Sequence, residues 1–180
     1  MTSERYLTLK AKLIEFGYAE EIDWQTNLQP CDNSISFRNE AIFVIINSGM
    51  KAQIARQIWD KVKFAMHQGY DISLAFGHQG KVKAIKTILV NYTTLFQQYI
   101  SSSDKIEFLE TLPYIGKITK YHLAKNLGFD VVKPDRHLVR IAKEYGMNCN
   151  EMCEQLSKET GDKVSVIDIV LWRSANLGWI

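Results

Sequence analysis

Three observations predict an all-α protein. Apolar residues recur at helical spacing along most of the chain, Ser, Asp, Asn and Gly stand where those runs begin and end, and no convincing period-2 strand pattern occurs. The 180 residues suffice for one unit or two small lobes, burying roughly 70% of the unfolded surface. A content of 46% hydrophobic and 23% charged residues is that of a soluble globular protein and too apolar for a disordered one. The longest apolar runs, such as Ala41 to Ile46, are far too short to span a bilayer, and the N-terminus carries charges where a signal peptide would be apolar. The expectation is a cytoplasmic protein with no membrane partner.

Residues 4–16 carry Tyr6, Leu9, Leu13 and Phe16 at helical spacing and meet a stop at Gly17. A loop is expected through Trp24, Pro30 and Asp32-Asn33-Ser34. Ser36 then reads as the N-cap of a helix over 37–47, apolar nearly all round and therefore central and buried, with Ser48-Gly49 ending it. The next helix, 51–67, places Ile54, Ile58, Val62 and Ala65 on one face, and Gly69 closes it. A further helical region runs over 79–101 with a break expected near Asn91-Tyr92; its Lys81, Lys83 and Lys86 are expected to face solvent.

Ser101-Ser102-Ser103-Asp104 is a helix start, and Pro113 interrupts the helix that follows. Asp135 follows Pro134 and precedes Leu138, Val139, Ile141 and Ala142, which puts it at or next to an N-cap, with Gly146 as the stop. Asn148 opens one more helix, and Ser165, in a capping box with Asp168, opens the last; they end at Gly161 and Gly178.

Cys31, Cys149 and Cys153 form neither a disulfide framework nor a zinc ribbon, and three thiols cannot supply a four-cysteine iron–sulfur cluster. The net charge of +2 is unevenly distributed. Between Thr111 and Tyr145 seven Lys/Arg stand against three acids, leaving +4 there and −2 elsewhere. Positive charge gathers around one segment, as an anionic partner requires.

That segment contains Leu112-Pro113-Tyr114-Ile115-Gly116-Lys117 between two helices. Gly116 is expected to allow a backbone conformation that points successive N–H groups outward at a helix start, where unpaired donors and the helix dipole both favour an anion. Lys117, Thr119 and Lys120 would add side-chain contacts that position a duplex without reading its sequence.

Leu112 to Gly116, then a helix to Asn126-Leu127-Gly128, then Pro134-Asp135-Arg136-His137-Leu138-Val139-Arg140, resembles the helix-hairpin-helix and Gly/Pro-Asp signature of the endonuclease III and 8-oxoguanine DNA glycosylase superfamily. More weakly, Phe37 to Trp59 resembles that family's central helix and following loop. The resemblance covers roughly residues 35–145. It implies an all-α, two-lobed helical bundle with a cleft between lobes, one lobe formed by 36–134 and the other by 1–35 with 135–180. It also implies hydrolysis of the N-glycosidic bond of an altered base in duplex DNA.

Under the resemblance Asp135 is the catalytic aspartate. A fixed carboxylate stabilises the positive charge that develops on the sugar and orients or deprotonates the attacking water. Hairpin residues Tyr114, Ile115, Gly116, Lys117, Thr119 and Lys120 would hold the DNA backbone. His122 falls where members of that family contact the extruded base, and Met50, with Asn47 or Lys51 less surely, where they fill the gap left in the duplex. Main-chain carbonyls of Glu110, Leu112 and Ile115 would hold a sodium or potassium ion; no other cofactor is required. Trp24, Tyr114, Tyr121, Trp172 and Trp179 are divided between base pocket and core.

One position departs from the family. Members that also cleave the strand have a lysine two residues after the hairpin's last glycine, where this chain has Ile118. Lys117 and Lys120 lie about 100° and 200° away around the helix. The implied enzyme is monofunctional: water displaces the base and the abasic strand stays intact. Two rivals remain, a helix-hairpin-helix module that binds damaged or abasic DNA without catalysis, and a helical fold whose cleft serves protein contact. The expected protein is a monomer in the cytoplasm, nucleoid-associated if the cell is prokaryotic.

Overall fold

The computed structural model describes residues 1–180, and every regular element is helical. In chain order these are α1 (Ser3–Leu13), a π-helical turn (Ile14–Tyr18), α2 (Ala19–Asn27), α3 (Ser34–Asn47), α4 (Ala52–Gln68), a 3-10 turn (Ile72–Leu74) and α5 (Gln79–Ser101). There follow α6 (Lys105–Glu110), α7 (Thr119–Asn126), α8 (Arg136–Glu144), α9 (Cys149–Thr160) and α10 (Val164–Asn176). The all-α expectation holds, and no helix is long and apolar enough to cross a membrane.

The chain divides into a discontinuous unit, Met1–Pro30 with Ala124–Ile180, and an internal unit, Cys31–Leu123. The expected boundary at 134 lies instead inside α7. Val132 packs in the discontinuous unit's core and Lys125 pairs with Asp168 of α10, so 124–134 belong with that unit.

In the internal unit α3 is the buried axis, with Phe37, Ala41, Ile42, Val44, Ile45 and Ile46 all out of solvent. Its N-cap is Asn33, whose side chain accepts the Ser36 N–H at 2.8 Å; the expected cap at Ser36 sits one turn too late because Ser34 and Ile35 are already helical. On α4 the buried stripe is Ala55, Trp59, Val62 and Ala65, while Ile54 is 47% exposed. Val62 and Ala65 are buried as expected, but in the first half of the helix Ala55 and Trp59 stand in place of Ile54 and Ile58, because Trp59, the larger apolar side chain, turns inward against Phe43. α5 runs unbroken through Asn91, whose amide donates back to the Thr87 carbonyl at 2.9 Å.

Lys81 also departs from expectation. It is 3% exposed, and its ammonium donates to the Ile46 carbonyl at 2.8 Å and the Ser48 carbonyl at 2.5 Å. A cation on the last carbonyls of α3 meets both the unpaired acceptors and the negative end of the helix dipole. Burial still pushes the Lys81 amine below its ordinary pKa.

In the discontinuous unit α10 is central, burying residues from Ser165 to Ala175 among Tyr6, Leu9 and Leu13 of α1, Leu138 and Ile141 of α8 and Met152 and Leu156 of α9. The start of the chain is more helical than expected: Gly17, at φ 88°, kinks the path, and α2 then carries Trp24 within a helix. α9 opens with an Asn148–Glu151 capping box. The box expected at Ser165 and Asp168 is absent. α10 is entered from Lys163, the Ser165 N–H bonds to Asp130 at 2.8 Å, and the Asp168 carboxylate is drawn into an ion pair. Cys149 and Cys153 are free and buried on α9, where desolvation pushes both thiols up.

Gly128, just past α7, is required by space as well as by conformation. At φ +92° a Cβ there would lie 2.5 Å from the Gln29 carbonyl oxygen and 2.8 Å from Pro30 Cα. Gly128→Ala should therefore destabilise the fold by roughly 3 kcal/mol, from left-handed strain plus a clash with rigid main chain. Denaturant midpoints measure this.

Candidate functional site

The hairpin lies in the internal unit. Asp104 caps α6 by accepting the Glu107 N–H at 2.9 Å, and the connecting turn is closed by the Ile115 N–H donating to the Leu112 carbonyl at 3.1 Å. Leu109, Leu112, Ile115 and Leu123 are buried and anchor the hairpin to its unit, while Tyr114, Gly116, Lys117 and Ile118 face solvent.

The left-handed position is not Gly116. It is Tyr114, at φ 68°, the one non-glycine residue of the chain with positive φ. Strain of this kind costs about 1–3 kcal/mol and persists where surrounding contacts hold it. Here the Tyr114 ring meets the His78 ring edge-on at 5.9 Å and passes close over Gly80.

Gly116 needs neither unusual φ nor clearance. A Cβ on it would meet only the Thr119 hydroxyl, at 4.0 Å. Its N–H does not point outward either, because it donates to Thr119 Oγ1 at 2.7 Å. The first main-chain bond of α7 runs from the Lys120 N–H to the Gly116 carbonyl at 2.9 Å, so any outward donors come from the residues between.

Lys120 is removed from the expected phosphate contacts. It is 6% exposed and its ammonium is held by Glu107 at 2.6 Å and Glu110 at 2.7 Å, which together push its pKa up. A cation already neutralised by two carboxylates has little charge to offer an external phosphate. Lys117 remains an exposed cation on the turn. Ile118, two residues after Gly116, is 43% exposed, an apolar side chain open to solvent.

His122, half-buried on α7, meets the edge of the Phe43 ring at 6.3 Å, and Phe43 in turn meets Trp59 at 6.2 Å. Met50 lies in the turn after α3, its N–H donating to the Asn47 carbonyl at 3.0 Å, and is partly exposed. The carbonyl of Leu112, one of the expected cation ligands, already accepts one N–H, leaving its second lone pair for an ion.

Asp135 lies in the discontinuous unit as the N-cap of α8. Its Oδ1 accepts the His137 N–H at 2.9 Å and the Leu138 N–H at 3.2 Å. Its Oδ2 takes no part in the cap and lies 4.0 Å from the ammonium of Lys133; the carboxylate side chain is 14% exposed. One oxygen thus orients the group, and the other accepts no N–H of the cap.

The turn that presents Asp135 is held from behind. The Asp135 N–H donates to the Lys133 carbonyl at 2.7 Å across Pro134, and the Lys133 N–H donates to Asp168 Oδ2 at 2.5 Å. The other Asp168 oxygen receives the Lys125 ammonium, with both side chains nearly out of solvent. Burial pushes the Asp168 carboxyl up; Lys125 and the Lys133 N–H oppose that shift.

Lys133, Lys125 and Asp168 were not among the expected site residues. Lys133 could have been found, being two positions from Asp135 in the same segment. Asp168 has no local signal, since its partners stand 43 and 35 residues away. Comparison with protein-family models, curated proteins and solved structures yields no match.

Proposed function

We propose that the protein is a DNA glycosylase that hydrolyses the N-glycosidic bond of an altered base in duplex DNA. The observation that carries this reading is the divided carboxylate of Asp135: two main-chain N–H groups hold Oδ1 while Oδ2 stays outside the cap. A helix cap alone uses one oxygen. A second one, preorganised and largely shielded, suits a developing positive charge at C1′.

In this reaction the bond between C1′ and the base nitrogen breaks, and its electron pair leaves with the base. Asp135 stabilises the cationic sugar and accepts a proton from the water that attacks C1′. Ile118 provides no amine, so water is the nucleophile of this step. The Lys117 ammonium and the main-chain N–H groups of Lys117, Ile118 and Thr119 grip the phosphates beside Tyr114, and a sodium or potassium ion on the hairpin carbonyls would help neutralise them. His122 and Met50 are assigned to the extruded base and the gap it leaves.

Gly116 supports the hairpin's role, since its lack of a side chain answers no need within the fold. Gly116→Ala should change stability by less than about 0.5 kcal/mol, because the added methyl meets open space. It should weaken duplex binding about tenfold by holding a phosphate away from the main chain. Unfolding curves and salt-matched binding isotherms measure the two effects.

The reading itself is tested by base release from a panel of duplexes, each with one altered base. A non-catalytic binding module would hold such duplexes, weakening steeply as salt rises, and release nothing.

A further inference from the structure

We infer that Lys133 is a second catalytic residue, an amine that condenses with the aldehyde of the abasic sugar left after base release and so gives the protein a strand-cleaving activity. The inference rests on the glycosylase reading for its substrate, and it reverses the expectation drawn from Ile118 that the abasic strand stays intact.

The geometry singles Lys133 out among the shielded lysines. Lys10 is held by Asp162 at 2.7 Å, Lys81 by two carbonyls, Lys120 by two glutamates and Lys125 by Asp168. The Lys133 ammonium makes no such bond. It stands 4.0 Å from Asp135 Oδ2, beyond hydrogen-bond distance, with its side chain 23% exposed. Its main chain is nevertheless pinned on both sides, the N–H by Asp168 and the carbonyl by the Asp135 N–H. An amine on a fixed backbone that makes only a loose, 4.0 Å ion pair with the Asp135 carboxylate and no hydrogen bond can turn to a substrate atom without breaking a close contact.

Its protonation agrees. Desolvation, helped by the nearby Lys125 charge, pushes the Lys133 amine below its ordinary pKa although Asp135 and Asp168 pull the other way. A neutral amine is the form that attacks a carbonyl.

The step balances without an added oxidant or reductant. The Lys133 nitrogen forms a bond to C1′ of the ring-opened sugar, and the carbonyl oxygen leaves as water, giving a protonated imine. Asp135 Oδ2, beside that nitrogen, removes a proton from C2′. The C–H electron pair forms a C2′–C3′ double bond, and the C3′–O bond breaks with its electrons on the departing phosphate. Water then hydrolyses the imine and returns the amine.

The test uses the full chain and a duplex carrying a preformed abasic site, with borohydride present to reduce any imine to a stable amine. The result expected is a protein–DNA adduct that peptide mass spectrometry maps to Lys133, together with a nicked strand in the absence of borohydride. Lys133→Arg keeps a cation beside Asp135 and protects the fold but cannot form an imine, so the adduct should fall at least a hundredfold. No adduct, or an adduct on Lys117 or the N-terminal amine, overturns the assignment. Base release by the unaltered protein is scored separately: release without trapping counts against Lys133 alone, and neither release nor trapping counts against both.

Discussion

Asp135→Asn should lower the single-turnover rate of base release by about a thousandfold or more while leaving duplex affinity within roughly threefold. The substitution separates the helix cap made by Asp135 from its proposed part in base release. Asparagine is as good an N-cap as aspartate, and its carbonyl oxygen can accept the same N–H groups of His137 and Leu138. What is lost is negative charge at Oδ2. Stability should therefore change by less than about 1 kcal/mol, whereas Asp135→Ala, which removes the cap as well, should cost about 1 kcal/mol more. Thermal unfolding and rapid-quench kinetics on the same preparations read both quantities. Unchanged base release by Asp135→Asn would remove Asp135 from the reaction and leave it only a cap.

Lys125→Met should destabilise the protein by roughly 3–5 kcal/mol, the cost of leaving one partner of a buried ion pair uncompensated. The lysine is 5% exposed and Asp168 2% exposed, so water cannot replace the missing ammonium. Asp168→Leu should cost a similar amount and should also release the Lys133 N–H, loosening the turn before Asp135. The double variant should be far less damaged than the two single losses added together, because no buried charge is then left alone. Denaturant unfolding of the three variants measures the coupling. Additive losses would mean that the pair contributes only packing.

The parts of this structure that were legible in the sequence are those whose causes are local. Helical periodicity, the Asp104 and Asn148 caps and the position of Asp135 at the start of α8 each depend on residues within one turn. The features that were not legible depend on partners far along the chain. Lys81 looks like a solvent-facing helix lysine until the end of α3, 35 residues earlier, presents its carbonyls. Lys120 counts toward a basic cluster until Glu107 and Glu110 fold back onto it. Asp168 looks like a capping acid until Lys125 and the Lys133 N–H claim both its oxygens.

Gly116 and Tyr114 teach a narrower lesson. A glycine in a tight turn suggests positive φ, yet here the tyrosine two residues earlier takes the left-handed conformation. Ring contacts with His78 hold it there, and they join segments 36 residues apart. Local rules located the turn correctly and assigned its strain to the wrong residue.

The most direct measurement is of free base itself. Duplexes that each contain one alkylated, oxidised or deaminated base are incubated with the protein, and the small-molecule fraction is analysed by mass spectrometry. At least one altered base should be released in amounts that grow with time and vanish for Asp135→Asn. Duplex binding that weakens with salt while no base leaves any member of the panel would contradict it.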